Sequence, residues 1–549
     1  MKDFINKHKE LVTVGSLGVI FYFLFFHNLW AYPLLDVDET RYVDMARVMH
    51  QTKDYLTLYL NGEFFFEKPP LYFWILNASF ELFNQVSTFA ARFPIALCTT
   101  ITGFMLYFCG RKTVSRKFGI MSSLIYATSL EVLILSKVAM LDMVITSFIL
   151  LSLYSGFMTF FVGEKNKKYF WWLFYIFSAL AVLSKGIPGF IVPFGTMFFA
   201  GIVSKQIKEY FKPQYFLVGF LLFFAISVPW HVVMFNMHNP LFYNEYIIKH
   251  HLARFSGGNE LGRSHGAWYY FVTLLWGFFP WIFSFVSMLC ENSKKISKDM
   301  FKSFNFSELN SVQKYTVLNI IGALFIMLFF TSSDTKLVTY ILPIYAPLAC
   351  LVAHYWIEYI EGDKHQKPIN LSVMIFNSIL VLASFIAIFS NFFLPEMLTQ
   401  DIAGAKWFTI GLLMLVPLFG IISVRKNNKL NVFISYVLFV VLLSAFGTPK
   451  FFNIDYKFGQ NDLMKYASYA KENKYELGSY NTARKYSLMF YSNSTVDFCL
   501  TPDFEWLKNK LKDKNSVVVL RIKEEPNIDK TIKYDTIFKD RKYMLIRGK

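Results

Sequence analysis

The sequence predicts a polytopic α-helical membrane protein that carries a small α/β domain at its C-terminal end. Of its 549 residues, 55% are apolar and 19% are aromatic, whereas only 17% are charged. Long apolar runs recur through residues 1–446, and a mixed polar pattern replaces them in residues 447–549. This composition excludes an ordinary soluble globular protein and divides the chain into a membrane domain and a soluble domain.

The apolar runs of the membrane domain have the length of membrane-spanning helices, which is roughly 17–25 residues. They lie at about 11–33, 87–110, 118–137, 140–163, 168–186, 187–204, 214–236, 267–291, 313–332, 337–360, 371–394, 406–424 and 431–446. The sequence therefore predicts about thirteen spans.

The positive charge of the chain is placed as membrane topology requires. The formal net charge is +17, and basic linkers such as "GRKTVSRK", "EKNKK" and "SKQIKEYFK" recur at every second loop. Cytoplasmic loops carry such an excess of Lys and Arg, so the N-terminus is predicted to be cytoplasmic. By alternation, the first outer loop (residues 34–86) and the C-terminal domain (447–549) lie on the opposite face. No nucleic-acid partner is expected.

The C-terminal domain shows alternating element types. "NDLMKYASYAKENK" and "DFEWLKNKLKDK" have helical spacing, and "SVVVLRI" and "KYMLIRG" have the pattern of short strands. The five cysteines of the chain are scattered, which predicts neither a disulfide framework nor a cysteine metal cluster.

Charged residues of the first outer loop lie on one face of a predicted helix. Between residues 36 and 47, Asp38, Arg41 and Asp44 recur at intervals of three. Asn61-Gly62 then predicts a turn, and "EKPP" at 67–70 predicts an extended approach to the next span.

The outer tips of the other hairpins carry isolated charges that topology does not explain. These are Lys137, Asp142, Lys185, Asp334 and Lys336. An ionisable group costs about 2.5–3.5 kcal/mol at mid-bilayer and less near the interface, and it is tolerated where it faces water or a partner. Snorkelling to the head groups explains any one of them. The whole set, together with the first outer loop, instead predicts a site at the outer face.

A reaction on a polyprenyl-phosphate sugar donor would need this combination of charges. Cations would hold the leaving phosphate, and a carboxylate would lie near the reacting carbon of the sugar or near the acceptor. An aromatic-rich helical body would admit the lipid tail.

Six motifs follow one another along the chain, namely "DETRYVDMARVM", "LNGEFFFEKPPLYFW", "AMLDM", "LSKGIPGFIVP", "HHLARF" and "KLVTYILPIYAPLACL". In this order they resemble those of the bacterial aminoarabinose transferases, which belong to the protein O-mannosyltransferase-like membrane glycosyltransferases. The resemblance covers about residues 10–360 and implies a GT-C-type architecture. It implies transfer of a sugar from undecaprenyl phosphate to lipid A phosphate at the periplasmic face of the bacterial inner membrane.

The resemblance also implies roles for individual residues. The candidate catalytic acids are Asp38 and Asp142, with the neighbouring Glu39 as a further candidate. The candidate donor-phosphate-binding residues are Lys68, Arg41, Arg254, Lys185, Lys336 and Tyr340. The hypothesis is that Lys68, Arg254 and Arg41 neutralise the leaving phosphate while Asp38 orients or deprotonates the acceptor.

A divalent cation is a further implication of the resemblance. Its candidate ligands are Glu67 and one of His250 and His251, between which the sequence does not choose. No nucleotide or organic cofactor is expected.

Several alternatives stay open at this point. The sugar can be aminoarabinose, galactosamine or another polyprenyl-linked sugar, and the acceptor can be lipid A, another envelope glycan or a protein. A transporter of lipid-linked sugars is disfavoured because the sequence lacks the paired halves with interrupted helices that are common in transporters. A structural anchor for the C-terminal domain would not require the outer charges.

Overall fold

A computed structural model describes residues 8–253, 265–293, 305–389, 392, 396–447, 459–529 and 531–549, without the side chains of 250–253 and 396–405. In this part of the chain, nine helices are long and apolar enough to cross a membrane. They are Lys9–Phe26, Thr88–Thr113, Leu141–Met158, Pro213–His238, Ser311–Ser332, Val338–Gly362, Gln366–Ile388, Lys406–Arg425 and Lys429–Gly447. The multi-pass membrane fold is therefore confirmed.

The four other predicted spans correspond to helices that are shorter, broken or more polar. They are Arg116–Ala127 with Leu130–Leu135, Glu164–Lys185, Pro188–Ser204, and Tyr269–Gly277 with Ile282–Ser293. Pro280 lies in the break of the last pair, where its missing N–H and fixed φ disfavour a continuous helix. Glu164–Lys185 begins with the charged segment "EKNKK", which lowers its apolar character. Smaller helical segments are Ile207–Tyr210, Tyr243–Ala253 and Phe306–Glu308. The span Lys406–Arg425 is the C-terminal part of the longer helix Glu396–Arg425.

The first outer loop folds into a helix, a hairpin and a second helix. The helix Asp38–Thr52, called the first-loop helix below, confirms the predicted helix and extends beyond it. Strands β1 (Tyr59–Leu60) and β2 (Glu63–Phe64) pair antiparallel. Between them Asn61 and Gly62 have φ values of 53° and 84°, which confirms the predicted turn and explains the Asn-Gly pair. Helix Leu71–Leu82 follows directly after the two prolines.

The C-terminal domain is a five-stranded mixed sheet with three helices. Its strands are β3 (Glu476–Tyr480), β4 (Val496–Cys499), β5 (Ser516–Arg521), β6 (Tyr534–Lys539) and β7 (Tyr543–Gly548), in the order β4-β3-β5-β7-β6. Strand β3 is parallel to β4 and β5, whereas β7 is antiparallel to β5 and β6. The helices are Gln460–Glu472, Tyr486–Ser492 and Phe504–Lys512, and a 3-10 turn spans Ile522–Asn527. The predicted α/β fold of this segment is confirmed.

Candidate active site

The N-terminal turn of the first-loop helix presents Asp38 and Arg41 together. Their spacing of three residues places both side chains on one face, and Arg41 Nη2 lies 2.8 Å from Asp38 Oδ1. Asp38 keeps 49% of its side chain exposed, compared with 20% for Arg41. The carboxylate is therefore accessible to a substrate, whereas the guanidinium is largely enclosed.

Tyr42 is the residue around which the candidate acids gather. Its side chain is 5% exposed, and the Arg41 guanidinium donates to its hydroxyl at 3.1 Å. Asp38, Asp142 and Glu67 all act electrostatically on Tyr42. Burial raises the pKa of Tyr42, so its phenol stays protonated near neutral pH. The two predicted acids, from the first and second outer loops, thus belong to one site.

Asp142 and Lys185 bring two outer hairpin tips together. Asp142 lies in the first turn of helix Leu141–Met158, and Lys185 is the last residue of helix Glu164–Lys185. Lys185 Nζ donates to Asp142 Oδ1 at 2.5 Å and lies 4.4 Å from the ring centre of Tyr340. The Thr339 hydroxyl is a further hydrogen-bond partner of Asp142.

Glu67 and Lys68 lie between the Asp38–Arg41 pair and the Asp142–Lys185 pair in their electrostatic interactions. Lys68 is 6% exposed, and its ammonium donates to the Glu67 carbonyl at 3.2 Å. Lys68 acts electrostatically on Asp142, and Glu67 acts electrostatically on Arg41. Burial lowers the pKa of Arg41, but Tyr42, Asp38 and Glu67 outweigh that effect and raise it, so Arg41 stays charged. The structure therefore brings seven predicted residues together, namely Asp38, Arg41, Glu67, Lys68, Asp142, Lys185 and Tyr340.

The predicted catalytic role of Glu39 is wrong. Glu39 is 2% exposed, and Arg92 donates to its two oxygens at 2.7 and 2.9 Å. The backbone N–H groups of Ala139 and Leu35 donate to the same oxygens at 2.8 and 2.7 Å. A carboxylate with four donors and no exposed surface has no lone pair to offer a substrate. Glu39 faces the protein interior, whereas Asp38 keeps 49% of its side chain exposed.

Arg92, which binds Glu39, is a structural residue that the sequence analysis missed. Its guanidinium is buried and also donates to the carbonyl groups of Leu29, Tyr32 and Pro33 at 2.9–3.0 Å. These bonds fix the end of the first span against the second span and the first-loop helix. The available signal was an arginine inside the apolar run 87–110, since a charge within a span requires a specific partner.

Of the four further predicted site residues, Lys336 is the one whose side chain the structure describes. Lys336 is 5% exposed and donates to the Ser333 carbonyl at 2.5 Å. Arg254 and the side chains of His250 and His251 lie outside the described residues. Within the residues that are described, no three His, Cys, Asp or Glu side chains gather as metal ligands. The cation therefore stays a prediction.

Substitution of Lys185 by methionine is expected to lower activity by about 10²-fold, because it removes a positive charge from the site and leaves Asp142 without its ion-pair partner. Steady-state sugar-transfer kinetics measure this effect. Lys165→Met is the matched control, since Lys165 is exposed at the opposite end of the same helix. Equal activities of the two variants would remove Lys185 from the site.

Sequence comparison relates this chain to known proteins. Residues 10–243 match the model of the family described as dolichyl-phosphate-mannose-protein mannosyltransferase. An uncharacterised protein of Aquifex aeolicus is 29% identical over 70% of this chain and 69% of its own length. Undecaprenyl phosphate-alpha-4-amino-4-deoxy-L-arabinose arabinosyl transferase 1 of Proteus mirabilis is 27% identical over 62% of this chain and 58% of its own length. The chain thus spans between about half and two thirds of such transferases.

A solved structure extends the likeness to the whole fold. The crystal structure of ArnT from Cupriavidus metallidurans bound to undecaprenyl phosphate aligns with a TM-score of 0.78. The alignment covers 98% of this chain and 97% of that one at 16% sequence identity, which establishes a common fold.

The helical membrane body, the first outer loop and the C-terminal α/β domain define a membrane glycosyltransferase fold of the GT-C type. Residues 10–243 are similar to the protein mannosyltransferase family model, and the relatives that the chain resembles include the bacterial aminoarabinose transferases. The resemblance predicted from the sequence motifs is thereby confirmed.

Proposed function

We propose that this chain transfers a sugar from undecaprenyl phosphate to a phosphate group of lipid A at the periplasmic face of the bacterial inner membrane. The observation that carries the proposal is the convergence of Asp38, Arg41 and Asp142 on Tyr42, with Lys185 and Lys68 acting on Asp142. Two carboxylates and three cations at one place suit a substrate whose phosphate leaves as the sugar is transferred.

The reaction would exchange one phosphate ester of the sugar for another. A lipid A phosphate oxygen would form a bond to the anomeric carbon while the bond from that carbon to undecaprenyl phosphate breaks. The undecaprenyl phosphate would leave with the electron pair, and Lys68 and Arg41 would stabilise its developing charge. Because the acceptor phosphate is already anionic near neutral pH, no strong general base is required.

Asp38 would orient the acceptor rather than activate it by full proton removal. Its carboxylate is held by Arg41 yet remains half exposed, so it is the acid of the site that can reach a substrate group. Asp142 is more enclosed and paired with Lys185, which suits it to fix the cations around the donor phosphate.

The location of the site fits substrates that carry lipid tails. Lys185 ends one helix, Asp142 begins another span and the first-loop helix lies beside them. Basic linkers at the opposite ends of the spans support a cytoplasmic orientation for those ends. Both phosphates could then meet at the outer membrane surface while the tails remain in the bilayer.

One sugar and two candidate acceptors are proposed. The names of the matched relatives favour 4-amino-4-deoxy-L-arabinose as the sugar. A protein acceptor is the second candidate, since the matched family model is described by protein mannosyl transfer. A hydroxyl acceptor on a protein would need Asp38 as a general base.

A divalent cation is proposed at Glu67 together with one of His250 and His251. This carboxylate lies close enough to act on Arg41 and Tyr42, and an oxygen ligand of this kind suits a hard cation. Such a cation would add positive charge beside the donor phosphate. Metal content of the purified chain and of Glu67→Gln would test it independently of activity.

Transfer by the purified protein in vesicles tests the function directly. Undecaprenyl-phosphate-linked radiolabelled aminoarabinose would be supplied with lipid A and, separately, with membrane protein from the same cells. We expect the label to appear in lipid A and not in protein. Label in protein alone would favour the second candidate, and transfer that persists after neutralisation of both Asp38 and Lys68 would contradict the proposed site.

A further inference from the structure

The carboxylate of Asp36, two residues before Asp38, joins the first outer loop to the C-terminal domain. Its Oδ1 accepts from the Thr40 hydroxyl at 2.6 Å and from the Ser487 backbone N–H at 2.9 Å. Its Oδ2 accepts from the Ser487 hydroxyl at 2.6 Å. One side chain thus ties the N-terminal turn of the first-loop helix to helix Tyr486–Ser492 of the domain.

A second junction lies at the hairpin turn of the first outer loop. The Asn61 amide group donates to the Val496 carbonyl at 2.9 Å, and the Val496 N–H donates to the Asn61 amide oxygen at 2.9 Å. Val496 is the first residue of strand β4, so these two hydrogen bonds fix the β1–β2 hairpin to the edge of the domain sheet.

Two more junctions hold the remaining parts of the loop. Arg47 and Gln51, near the C-terminal end of the first-loop helix, both donate to the side-chain oxygen of Asn493, Gln51 at 2.8 Å. The Leu34 N–H, before the helix, donates to the Tyr491 hydroxyl at 2.9 Å. Arg47 is itself held by Asp44 in a buried ion pair of 2.7 Å.

The four junctions surround the site residues without being among them. On the loop, Leu34 and Asp36 precede the first-loop helix, Gln51 lies near its C-terminal end and Asn61 follows it. Their partners in the C-terminal domain all fall within residues 487–496. An error of about 1 Å in the position of a catalytic group can cost about 10²-fold in rate. The Glu39–Arg92 pair ties this helix to the membrane domain, and the four junctions tie it to the C-terminal domain.

We propose that the C-terminal domain positions the first-loop helix for catalysis and that Asp36 is the principal positioning residue. This inference rests on the proposed function, because it assigns Asp38 and Arg41 to sugar transfer. The domain acts through the loop and touches no reacting atom. The segment 487–496 is the surface that it uses.

The test compares variants that weaken the junction in steps. In Asp36→Asn one acceptor oxygen becomes a donor, so kcat is expected to fall tenfold or more while the KM for the donor changes less than about twofold. Ser487→Ala, which keeps the backbone N–H, is expected to give a smaller fall, and Ser487→Thr to retain nearly full kcat. Asp535→Asn is the matched control, since Asp535 is an exposed aspartate on β6 of the same domain.

Hydrogen exchange provides a measurement that does not depend on the sugar donor. Amides of residues 38–52 are expected to exchange faster in Asp36→Asn and Ser487→Ala than in the control, with the rest of the membrane domain unchanged. Unchanged exchange together with unchanged kcat would overturn the positioning role. If the unaltered protein shows no sugar transfer but the two variants still exchange faster than the control, the proposed function is contradicted. The positioning of the first-loop helix by the domain then still holds. If Asp36→Asn does not fold, Ser487→Ala and Asn61→Ala decide the same comparison.

Discussion

Replacement of Asp38 by asparagine is expected to lower the rate of sugar transfer by about 10²–10⁴-fold, with little change in the amount of folded protein. The substitution keeps the shape of the side chain and removes its charge. Asp38 forms a partly exposed ion pair with Arg41, and such pairs contribute only about 0–1 kcal/mol to stability. The effect should therefore appear in kcat and not in the unfolding temperature.

Glu63→Gln is the matched control for this experiment. Glu63 is an exposed carboxylate in strand β2 of the same loop, so it tests whether any loss of negative charge there matters. Activity close to wild type is expected for Glu63→Gln. If Asp38→Asn retained that activity as well, Asp38 could not be the acid that meets the acceptor.

Replacement of Arg92 by methionine is expected to have the largest effect on stability. It leaves Glu39 buried without its charged partner, and breaking a buried pair in this way costs about 3–5 kcal/mol. The carbonyl groups of Leu29, Tyr32 and Pro33 also lose their donors. We expect a low yield of folded protein and a much lower midpoint of thermal unfolding in detergent, measured by tryptophan fluorescence.

The double variant Glu39→Gln/Arg92→Met separates the charge from the packing. Removing the unpaired carboxylate should restore part of the lost stability, because a neutral amide costs less to bury than a lone charge. A double variant that is less stable than Arg92→Met alone would contradict this explanation. Full activity and stability in Arg92→Met would show that the first span is held by other contacts.

The pairing of Asp38 with Arg41 could be predicted from the sequence, whereas the role of Glu39 could not. The helical interval of three residues is a local property, so it places the two charges on one face before any fold is known. The partner of Glu39 comes from a different span, 53 residues along the chain. Only the packing of that span shows that the neighbouring acid is enclosed.

Tyr42 illustrates the same limit within the site. Tyr42, Met45 and Ala46 have the spacing of an apolar edge on the first-loop helix, and the ring of Tyr42 is indeed buried. Its hydroxyl nevertheless meets Arg41, and the acids of two outer loops act on it. An amphipathic side chain can pack its ring in the core and direct its hydroxyl to a polar site. Sequence periodicity indicates the burial of the ring but not the contacts of the hydroxyl.

The fold was predictable where a long, continuous run of apolar residues marked an element. Apolar runs located a helix or a pair of helices at every predicted span, but not the break in Tyr269–Gly277 and Ile282–Ser293 or the one before Leu130–Leu135. In the C-terminal domain, β5 and β7 were predicted from their apolar residues. Strands β3, β4 and β6 were not predicted, since their sequences ELGSY, VDFC and YDTIFK mix polar with apolar residues and lack the apolar run of β5.

Mass spectrometry of lipid A tests the central claim most directly. Lipid A would be extracted from cells that make the aminoarabinose donor, with this chain, without it, and with its Asp38→Asn variant at equal membrane levels. We expect a phosphate-linked amino-sugar mass only in the cells that carry the unaltered chain. An identical lipid A profile in all three would contradict lipid A as the acceptor.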